Sequence, residues 1–215
     1  MIDLHTHSIF SDGELLPSEL VRRAAVLGYR AIAITDHGDF TNFELIIPRL
    51  KKAVASLRKH GIEVLAGIEL THLPPELMAE AVVEARRLGA QIVVCHGETL
   101  VEPVPPGTNR AAIEAGVDIL AHPGLITAEE VRLAAQKGVA LELSTRRGHS
   151  LSNGHVARLA LQCGAQLVID TDSHSPGDLT PWAQAERIAR GAGLDESQVA
   201  AARANSERLL KRLTA

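Results

Sequence analysis

The chain has 215 residues, of which 46% are apolar and 22% are charged, as is ordinary for a globular domain. This length equals about 1.4 average domains, so we expect a single domain spanning residues 1–215. The formal charge of −4 counts against a basic nucleic-acid-binding surface, and an aromatic content of 2% counts against stacking of bases on aromatic side chains. Ten histidines against two cysteines are the unusual feature.

Neither the cysteines nor the N-terminal residues indicate export. Cys95 and Cys163 lack the spacing of a CxxC pair and cannot form a disulfide framework, which favours a reducing compartment. The sequence has neither a basic segment followed by a long apolar run at its start nor an apolar stretch of about 18 residues elsewhere. We therefore expect a cytoplasmic protein that does not contact a membrane.

Short apolar segments alternate along the chain with longer amphipathic ones. The short segments are nearly apolar throughout, as in Ile92-Val93-Val94, which is typical of strands buried on both faces of a parallel sheet. Seven strands are predicted, at Met1–His5, Ala31–Thr35, Glu63–Leu70, Gln91–His96, Asp118–His122, Val139–Ser144 and Gln166–Thr171.

Helices are predicted between the strands from capping residues, first-turn prolines and terminal glycines. They begin at Pro17, Thr41, Pro75, Thr127, Asn153, Thr180 and Asp195. The segment Thr99–Arg110 contains three prolines and is predicted to be an irregular, functional loop.

This alternation predicts a closed α/β barrel with seven strands. An open, doubly wound sheet is the alternative, although no GxGxxG follows the first strand as a dinucleotide-binding fold would require.

Imidazole or carboxylate side chains lie at the carboxyl ends of six of the seven predicted strands. The carboxyl ends of parallel strands share one face of such a fold, where active sites are built. Residues two apart on a strand point the same way, so His5 and His7 can bind one ion together, as can Asp172 and His174. The residues at these ends are His5, His7, His37, Glu69, His96, His122, Asp172 and His174, with Asp12 in the loop after the first strand.

Burying so many ionisable groups without a cation would be very costly, so we predict a centre of divalent metal ions. Imidazole and carboxylate ligands without thiolate suit Zn²⁺, Mn²⁺ or Fe²⁺. Asp36, adjacent to His37, is expected to support a ligand or cap a helix. His72 lies either at the rim of the pocket or on an ordinary surface. Candidates for binding an anionic substrate are Arg146, Arg147, His149 and Arg110.

Seven motifs follow one another between His5 and His174. They are His5-Thr6-His7, Ser11-Asp12-Gly13, Thr35-Asp36-His37, Gly67-Ile68-Glu69, His96, His122-Pro123-Gly124 and Asp172-Ser173-His174. As a set, they resemble the polymerase and histidinol phosphatase (PHP) superfamily. The resemblance implies a distorted (β/α)7 TIM-like barrel whose two or three metal ions promote phosphoester hydrolysis.

The resemblance also implies how the ligands are shared among the ions. One ion would be bound by His5, His7, Glu69 and Asp172. A second would be bound by Asp12, His37 and His174. A third would be bound by Glu69, His96 and His122, with Glu69 bridging. Glu69, Asp172 and His174 are also the candidate catalytic residues.

We expect a metal-dependent phosphatase that attacks a small phosphomonoester, such as histidinol phosphate or a nucleotide-like molecule, with a hydroxide generated at the metal ions. One alternative is an exonuclease acting on the ends of single-stranded DNA or RNA. Another is a non-catalytic, metal-stabilised subunit related to the RNase P protein component. An amidohydrolase-like deaminase is a fourth hypothesis, because those barrels also begin with HxH. The sequence does not indicate an oligomeric state.

Overall fold

Short parallel strands surround a narrow apolar core in the computed structural model, which describes residues 1–215. Hydrogen bonds connect the strands in the order β1-β2-β4-β5-β6-β7-β8, with β3 paired to β4. The strands are β1 Ile2–Asp3, β2 Ala31–Ile34, β3 His37–Gly38, β4 Glu63–Leu70, β5 Ile92–His96, β6 Ile119–Ala121, β7 Ala140–Ser144 and β8 Leu167–Asp170.

The eight strands occupy seven positions around the barrel. Strands β2 and β3 pair with β4 in one continuous register, in which Ile34 faces Ala66 and His37 faces Glu69. They are therefore one strand position, interrupted at residues 35–36. The predicted seven-stranded (β/α) barrel is confirmed, and the interruption of this strand position was not predicted.

The barrel closes between its first and last strands through the segments that follow them. Thr6 forms a parallel bridge with Ser173, and the His7 amide donates to the Ser173 carbonyl at 2.8 Å. The Asp172 amide donates to the His5 carbonyl at 3.0 Å. The backbone of the candidate ligands His5, His7 and Asp172 thus joins the first strand of the sheet to the last.

Strand β1 is shorter than the predicted Met1–His5. The Leu4 amide donates to the side chain of Asp170 at 2.7 Å instead of to a neighbouring strand. Strand β6 ends at Ala121 instead of the predicted His122, whose φ of 29° is incompatible with an extended strand, and β8 ends at Asp170, one residue before the predicted Thr171.

Helices follow the strands around the outside of the barrel. They are α1 Pro17–Val26, α2 Phe43–Leu57, α3 Met78–Leu88, α4 Thr108–Ala115, α5 Ala128–Lys137, α6 Asn153–Cys163, α7 Trp182–Gly191 and α8 Glu196–Thr214. The predicted capping box is present at α5, where Thr127 and Glu130 exchange hydrogen bonds. No helix has the length and apolarity to cross a bilayer.

Helix α4 corrects the prediction that Thr99–Arg110 is wholly irregular. Its first residue is Thr108, which follows a left-handed Gly107 with φ of 92°. Only the part of the segment that contains the prolines is a loop. Eight residues are too few for a clear amphipathic pattern next to prolines, which explains the error.

Two apolar cores hold this arrangement together. The smaller core lies inside the barrel, where residues such as Leu65, Val94 and Val168 point inward, and Leu209 of α8 joins it. The larger core lies between the strands and the surrounding helices and includes Ile46 of α2. Because both faces of the strands are buried, the strands are apolar throughout, as the sequence indicated.

Candidate metal centre

Five side chains at the carboxyl ends of four strands meet at the centre of the barrel mouth. The Nε2 atom of His5 lies 3.1 Å from Nε2 of His7 and 3.3 Å from Oε1 of Glu69. Asp172 Oδ1 lies 3.2 Å from Nε2 of His7, and His122 Nε2 lies 3.6 Å from Glu69 Oε1. All five are almost completely buried. Residues up to 167 positions apart in sequence are therefore within reach of common ions.

A second group of candidate ligands lies on the more exposed side of the centre. Asp12 Oδ1 is 3.1 Å from Nε2 of His174 and 3.4 Å from Nε2 of His37. The two imidazole Nε2 atoms are 3.4 Å apart. The Asp12 side chain is 57% exposed and that of His37 is 24% exposed, so this group opens to solvent at Asp12, whereas the first group is almost completely buried.

The remaining candidate ligand, His96, falls in a group with two residues outside the nine implied by the resemblance. Its Nε2 atom is 3.0 Å from Oε2 of Glu102, which also lies 3.4 Å from Nε2 of His72. His149, expected to bind an anion, is buried and stacks on His122, with ring centroids 4.1 Å apart. The structure therefore places His149 beside the candidate ligands.

Several imidazoles are oriented by hydrogen bonds from their far nitrogen. Nδ1 of His5 lies 2.6 Å from the buried carboxylate of Glu142, and Nδ1 of His96 lies 3.2 Å from the Gly97 carbonyl. A ring whose Nδ1–H is donated in this way presents the lone pair of Nε2 to the centre. This is the usual outer-shell arrangement of histidines that bind metal ions.

The loop that carries Asp12 is held by Asp36. The Oδ1 atom of Asp36 accepts from the Ser8 amide at 2.7 Å and from the Ser11 hydroxyl at 2.8 Å, and Oδ2 accepts from the Ser8 hydroxyl. The side chain of Asp36 thus holds the loop that carries the candidate ligand Asp12. Support of a ligand was one of the two roles expected for Asp36.

Three non-glycine residues with positive φ lie at this face. They are His72, His122 and Asp172, with φ of 54°, 29° and 51°. Each such conformation costs on the order of 1–3 kcal/mol, and such conformations tend to occur at functional sites. Gly124, just after His122, has φ of 58°, and a Cβ there would lie 1.8 Å from the Glu98 carbonyl oxygen. The turn after β6 therefore requires glycine.

Burial and the charges of neighbouring side chains shift the pKa values of the residues in this cluster. Burial opposes ionisation of Glu69, but the charges of His5 and His37 outweigh it and hold its pKa well below the usual range. Burial lowers the pKa of His37, yet the carboxylates of Glu69 and Asp12 raise it to about 10. Burial and the nearby charge of His37 lower the pKa of His7 to about 3.

The cluster fits divalent metal ions. Glu69 Oε1 and the Nδ1 atoms of His7 and His122 are buried without a hydrogen-bond partner. A buried carboxylate oxygen without a partner is costly, and a cation beside Glu69 Oε1 would remove that cost. The donors are nitrogen and oxygen atoms without thiolate, which suits Zn²⁺, Mn²⁺ or Fe²⁺.

Of the three arginines expected to bind the substrate, only one reaches the centre. The Nη1 atom of Arg146 lies 3.1 Å from Nε2 of His174 and 3.4 Å from Oδ2 of Asp172, so this residue reaches the centre. Arg147 is exposed. Arg110 is engaged elsewhere, because its guanidinium pairs with Glu114 of α4 and Glu129 of α5.

Two acidic residues of this region were missed by the sequence analysis. Glu142 occupies an inward position of β7, two residues before Ser144, and the two-residue alternation of the strand could have revealed it. Glu102 lies in the proline-rich loop, where no periodic pattern predicts the direction of a side chain.

Comparison with known proteins identifies the family. The PHP domain model matches residues 3–95. An uncharacterized protein of Methanocaldococcus jannaschii is 48% identical over 200 residues, covering 92% of each chain. A "probable phosphatase" of Shewanella frigidimarina is 30% identical over 224 residues, covering 90% of this chain and 85% of its own. The chain belongs to the PHP family. The predicted resemblance is thereby confirmed.

A solved structure supports the fold of this PHP protein. A chain in the cryo-EM structure of archaeal ribonuclease P with mature tRNA superposes with a TM-score of 0.73 at 17% identity, covering 98% of this chain and 90% of the other. At this identity the likeness concerns the barrel fold alone.

Metal ions are expected to raise the melting temperature of this PHP protein. An ion that binds only the folded chain stabilises it by about 2.7 kcal/mol at a concentration 100 times its Kd. Chelator-treated protein should therefore melt at a higher temperature after Zn²⁺ or Mn²⁺ is added, as scanning calorimetry would measure. Mg²⁺ is a suitable comparison, because it prefers oxygen-rich sites. Identical melting curves with and without every transition metal would contradict a metal centre.

Proposed function

We propose that this PHP protein is a metal-dependent phosphatase that hydrolyses a small phosphomonoester. The observation that carries the proposal is the buried convergence of His5, His7, Glu69, His122 and Asp172 beside the solvent-facing group of Asp12, His37 and His174. Phosphatase-named relatives of similar length support the same class of reaction. The nine candidate ligands are the residues that the sequence motifs implied, and Glu69, which contacts His5, His7 and His122, would bridge two ions.

The chain supplies a site with a deep part and an open part. Divalent ions bound by these residues would activate water and neutralise charge on a phosphoryl group. The buried imidazoles and carboxylates exclude bulk water from the deep part. The exposed side chain of Asp12 marks the side from which a substrate can approach. A phosphate group entering there would meet His37 and His174 first.

Arg146 is the residue best placed to bind the phosphate. Its side chain is 28% exposed, and its guanidinium lies against His174 and Asp172. A planar guanidinium can donate two parallel hydrogen bonds to phosphate oxygens. It can therefore orient the phosphorus towards the centre without taking part in proton transfer. His149 is buried next to Glu102 and Asp172, so a substrate would reach it less easily than Arg146.

The charge and composition of the chain favour a small substrate over a nucleic-acid strand. The net charge is −4, and only five aromatic residues are present. A strand of nucleic acid would need further cations or stacking platforms along its path. Histidinol phosphate and nucleotide-like monoesters remain the candidate substrates. An exonuclease acting on single-stranded ends would use the same centre.

A second candidate function is a protein subunit of a ribonucleoprotein. A relative of Methanosarcina barkeri named ribonuclease P protein component 3, which is 28% identical over 212 residues, favours it. In that case the ions would stabilise the barrel, and the chain would hydrolyse no phosphoester. The complete set of nine candidate ligands argues for the enzyme, because a purely structural role does not need so many.

Phosphate release from a substrate panel tests the proposal. Purified protein loaded with Zn²⁺, Mn²⁺ or Fe²⁺ is expected to release phosphate from histidinol phosphate, nucleoside monophosphates or 3′,5′-bisphosphates. The change Arg146→Ala should lower kcat/KM by on the order of 10- to 100-fold, the equivalent of one hydrogen bond to a charged group.

Two controls separate the hypotheses. Shortening of labelled single-stranded oligonucleotides, without phosphate release from monoesters, would favour the exonuclease. Absence of turnover with every metal and substrate, combined with specific binding of structured RNA, would favour the ribonucleoprotein subunit and overturn the phosphatase.

A further inference from the structure

Two partly apolar grooves lie on the outside of the barrel. One, which we call the basic groove, runs between α1 and the segment after β8, has a volume of about 350 Å³ and is lined by Arg22, Arg23, Val26, Leu27, Pro176 and Leu179. The other, the acidic groove, lies between the beginnings of α2 and α3, has a volume of about 200 Å³ and is lined by Phe40, Phe43, Glu44, Glu80, Val83 and Glu84. Neither groove contains a candidate metal ligand, so neither belongs to the metal centre.

Each groove has an exposed valine beside a charged residue. On α1, Val26 follows Arg22 by four residues and is 67% exposed. On α3, Val83 follows Glu80 by three residues and is 68% exposed. Residues three or four apart lie on the same face of a helix, so each valine and its charged neighbour face outward together. Exposed apolar surface bordered by charged residues is typical of protein–protein contact sites. The two grooves are therefore candidate interaction surfaces.

The charged residues of the two grooves have opposite signs. Arg23 and Glu84 are each paired with a residue of their own helix. Arg22, Glu44 and Glu80 are exposed and form no ion pair within the chain, so their charges are available to a partner. The basic groove thus presents a free positive charge, and the acidic groove presents free negative charges.

The loop that forms the other wall of the basic groove does not present a free carboxylate. Asp178 lies in this loop, and its Oδ2 accepts hydrogen bonds from the amides of His174 and Ser175 at 3.1 and 2.8 Å and from the Ser175 hydroxyl at 2.9 Å. The carboxylate of Asp178 is therefore engaged within its own loop. The free charge at this groove is that of the arginine.

These charges decide which grooves can face each other in a contact between copies of the chain. An isologous contact places a surface against itself, so either groove would then meet its own charge and be repelled. A heterologous contact instead places Arg22 of one copy opposite Glu44 and Glu80 of the next. The same contact brings the exposed Val26 and Val83 into the apolar parts of the opposing grooves.

We propose that this chain binds a second copy of itself, with the basic groove of one copy against the acidic groove of the next. The two grooves lie at different positions around the barrel, so one copy can use both at once. A heterologous contact repeats from copy to copy, and it produces a closed ring or an open chain. The proposal concerns assembly and does not rest on the proposed phosphatase activity.

Charge reversal tests the contact. At low ionic strength, where ion pairs are least screened, analytical ultracentrifugation of the wild type is expected to give a mass above the 23.0 kDa of one chain that rises with concentration. Arg22→Glu and Glu80→Arg should each raise the dissociation constant by at least about 10-fold, because like charges then face each other. The double variant Arg22→Glu/Glu80→Arg restores opposite charges across the contact and should associate like the wild type.

Arg190→Glu is the matched control, because Arg190 is exposed on α7 and lines neither groove. It should associate like the wild type. Circular dichroism checks that every variant is folded, as expected for changes at exposed positions. An associating wild type whose mass none of the variants changes would overturn the assignment to these grooves, as would a double variant that remains dissociated.

A wild type that sediments as a 23.0 kDa monomer at every concentration would overturn the contact between copies. The grooves would then be left to different proteins of complementary charge. Sedimentation requires no turnover, so a failure of this proposal and a failure of the proposed phosphatase activity are observed separately.

Discussion

The change Glu69→Gln is expected to abolish phosphoester hydrolysis and to release metal ions. Both carboxylate oxygens of Glu69 face imidazoles, with Oε1 3.3 Å from His5 and 3.6 Å from His122 and Oε2 3.6 Å from His7. An amide keeps the volume but replaces one oxygen by a hydrogen-bond donor and removes the charge. We expect kcat to fall by more than about 100-fold, the upper range for loss of an outer-shell partner.

The measurement combines phosphate release with elemental analysis of the purified variant. Glu142→Gln is the matched comparison, because Glu142 is equally buried and contacts His5 from behind. Its loss should cost about 10- to 100-fold in metal affinity, less than the loss of Glu69. A Glu69→Gln protein with wild-type ion content and turnover would contradict the proposed bridging position.

The second large effect concerns stability. Ile46→Ala in α2 is expected to lower the free energy of unfolding by about 2–5 kcal/mol, as large-to-small changes in cores do. Ile46 is fully buried in the core between the barrel and its helices. Removing three methyl or methylene groups would leave a cavity that the packed strands cannot fill by moving. Denaturant unfolding of the metal-free protein would measure the change.

The neighbouring Leu45→Ala is the control for that experiment. Leu45 lies on the same helix but is 47% exposed. Its replacement should cost less than about 1 kcal/mol, since surface substitutions usually stay near 0.5 kcal/mol. Equal losses for both variants would mean that α2 does not pack on the barrel as described.

The convergence of the candidate ligands could be predicted because it depends on topology alone. Once the strands are parallel, Glu69 at the end of β4 and His122 after β6 must lie on one face. No pairing partner had to be identified for this conclusion. The prediction of the barrel depended in the same way on the apolar strands and the helices between them.

Features that depend on irregular backbone could not be predicted. The position of Glu102 follows from hydrogen bonds of Glu98 to amides nine and eleven residues away, and no periodicity encodes them. The positive φ of His122 and Asp172 likewise arises from tertiary contacts, because neither residue type requires it. Helix α4 was missed because eight residues provide too little amphipathic signal beside prolines.

The parallel bridge between Thr6 and Ser173, which closes the barrel, has a consequence for biosynthesis. It joins segments 167 residues apart, and the His7 amide has its acceptor only in Ser173. A chain emerging from the ribosome therefore holds His5 and His7 without Asp172, one of their carboxylate neighbours, until most of it has been made. The face that carries the candidate ligands cannot form progressively with the growing polypeptide, and it is completed only when the final βα unit docks against the first.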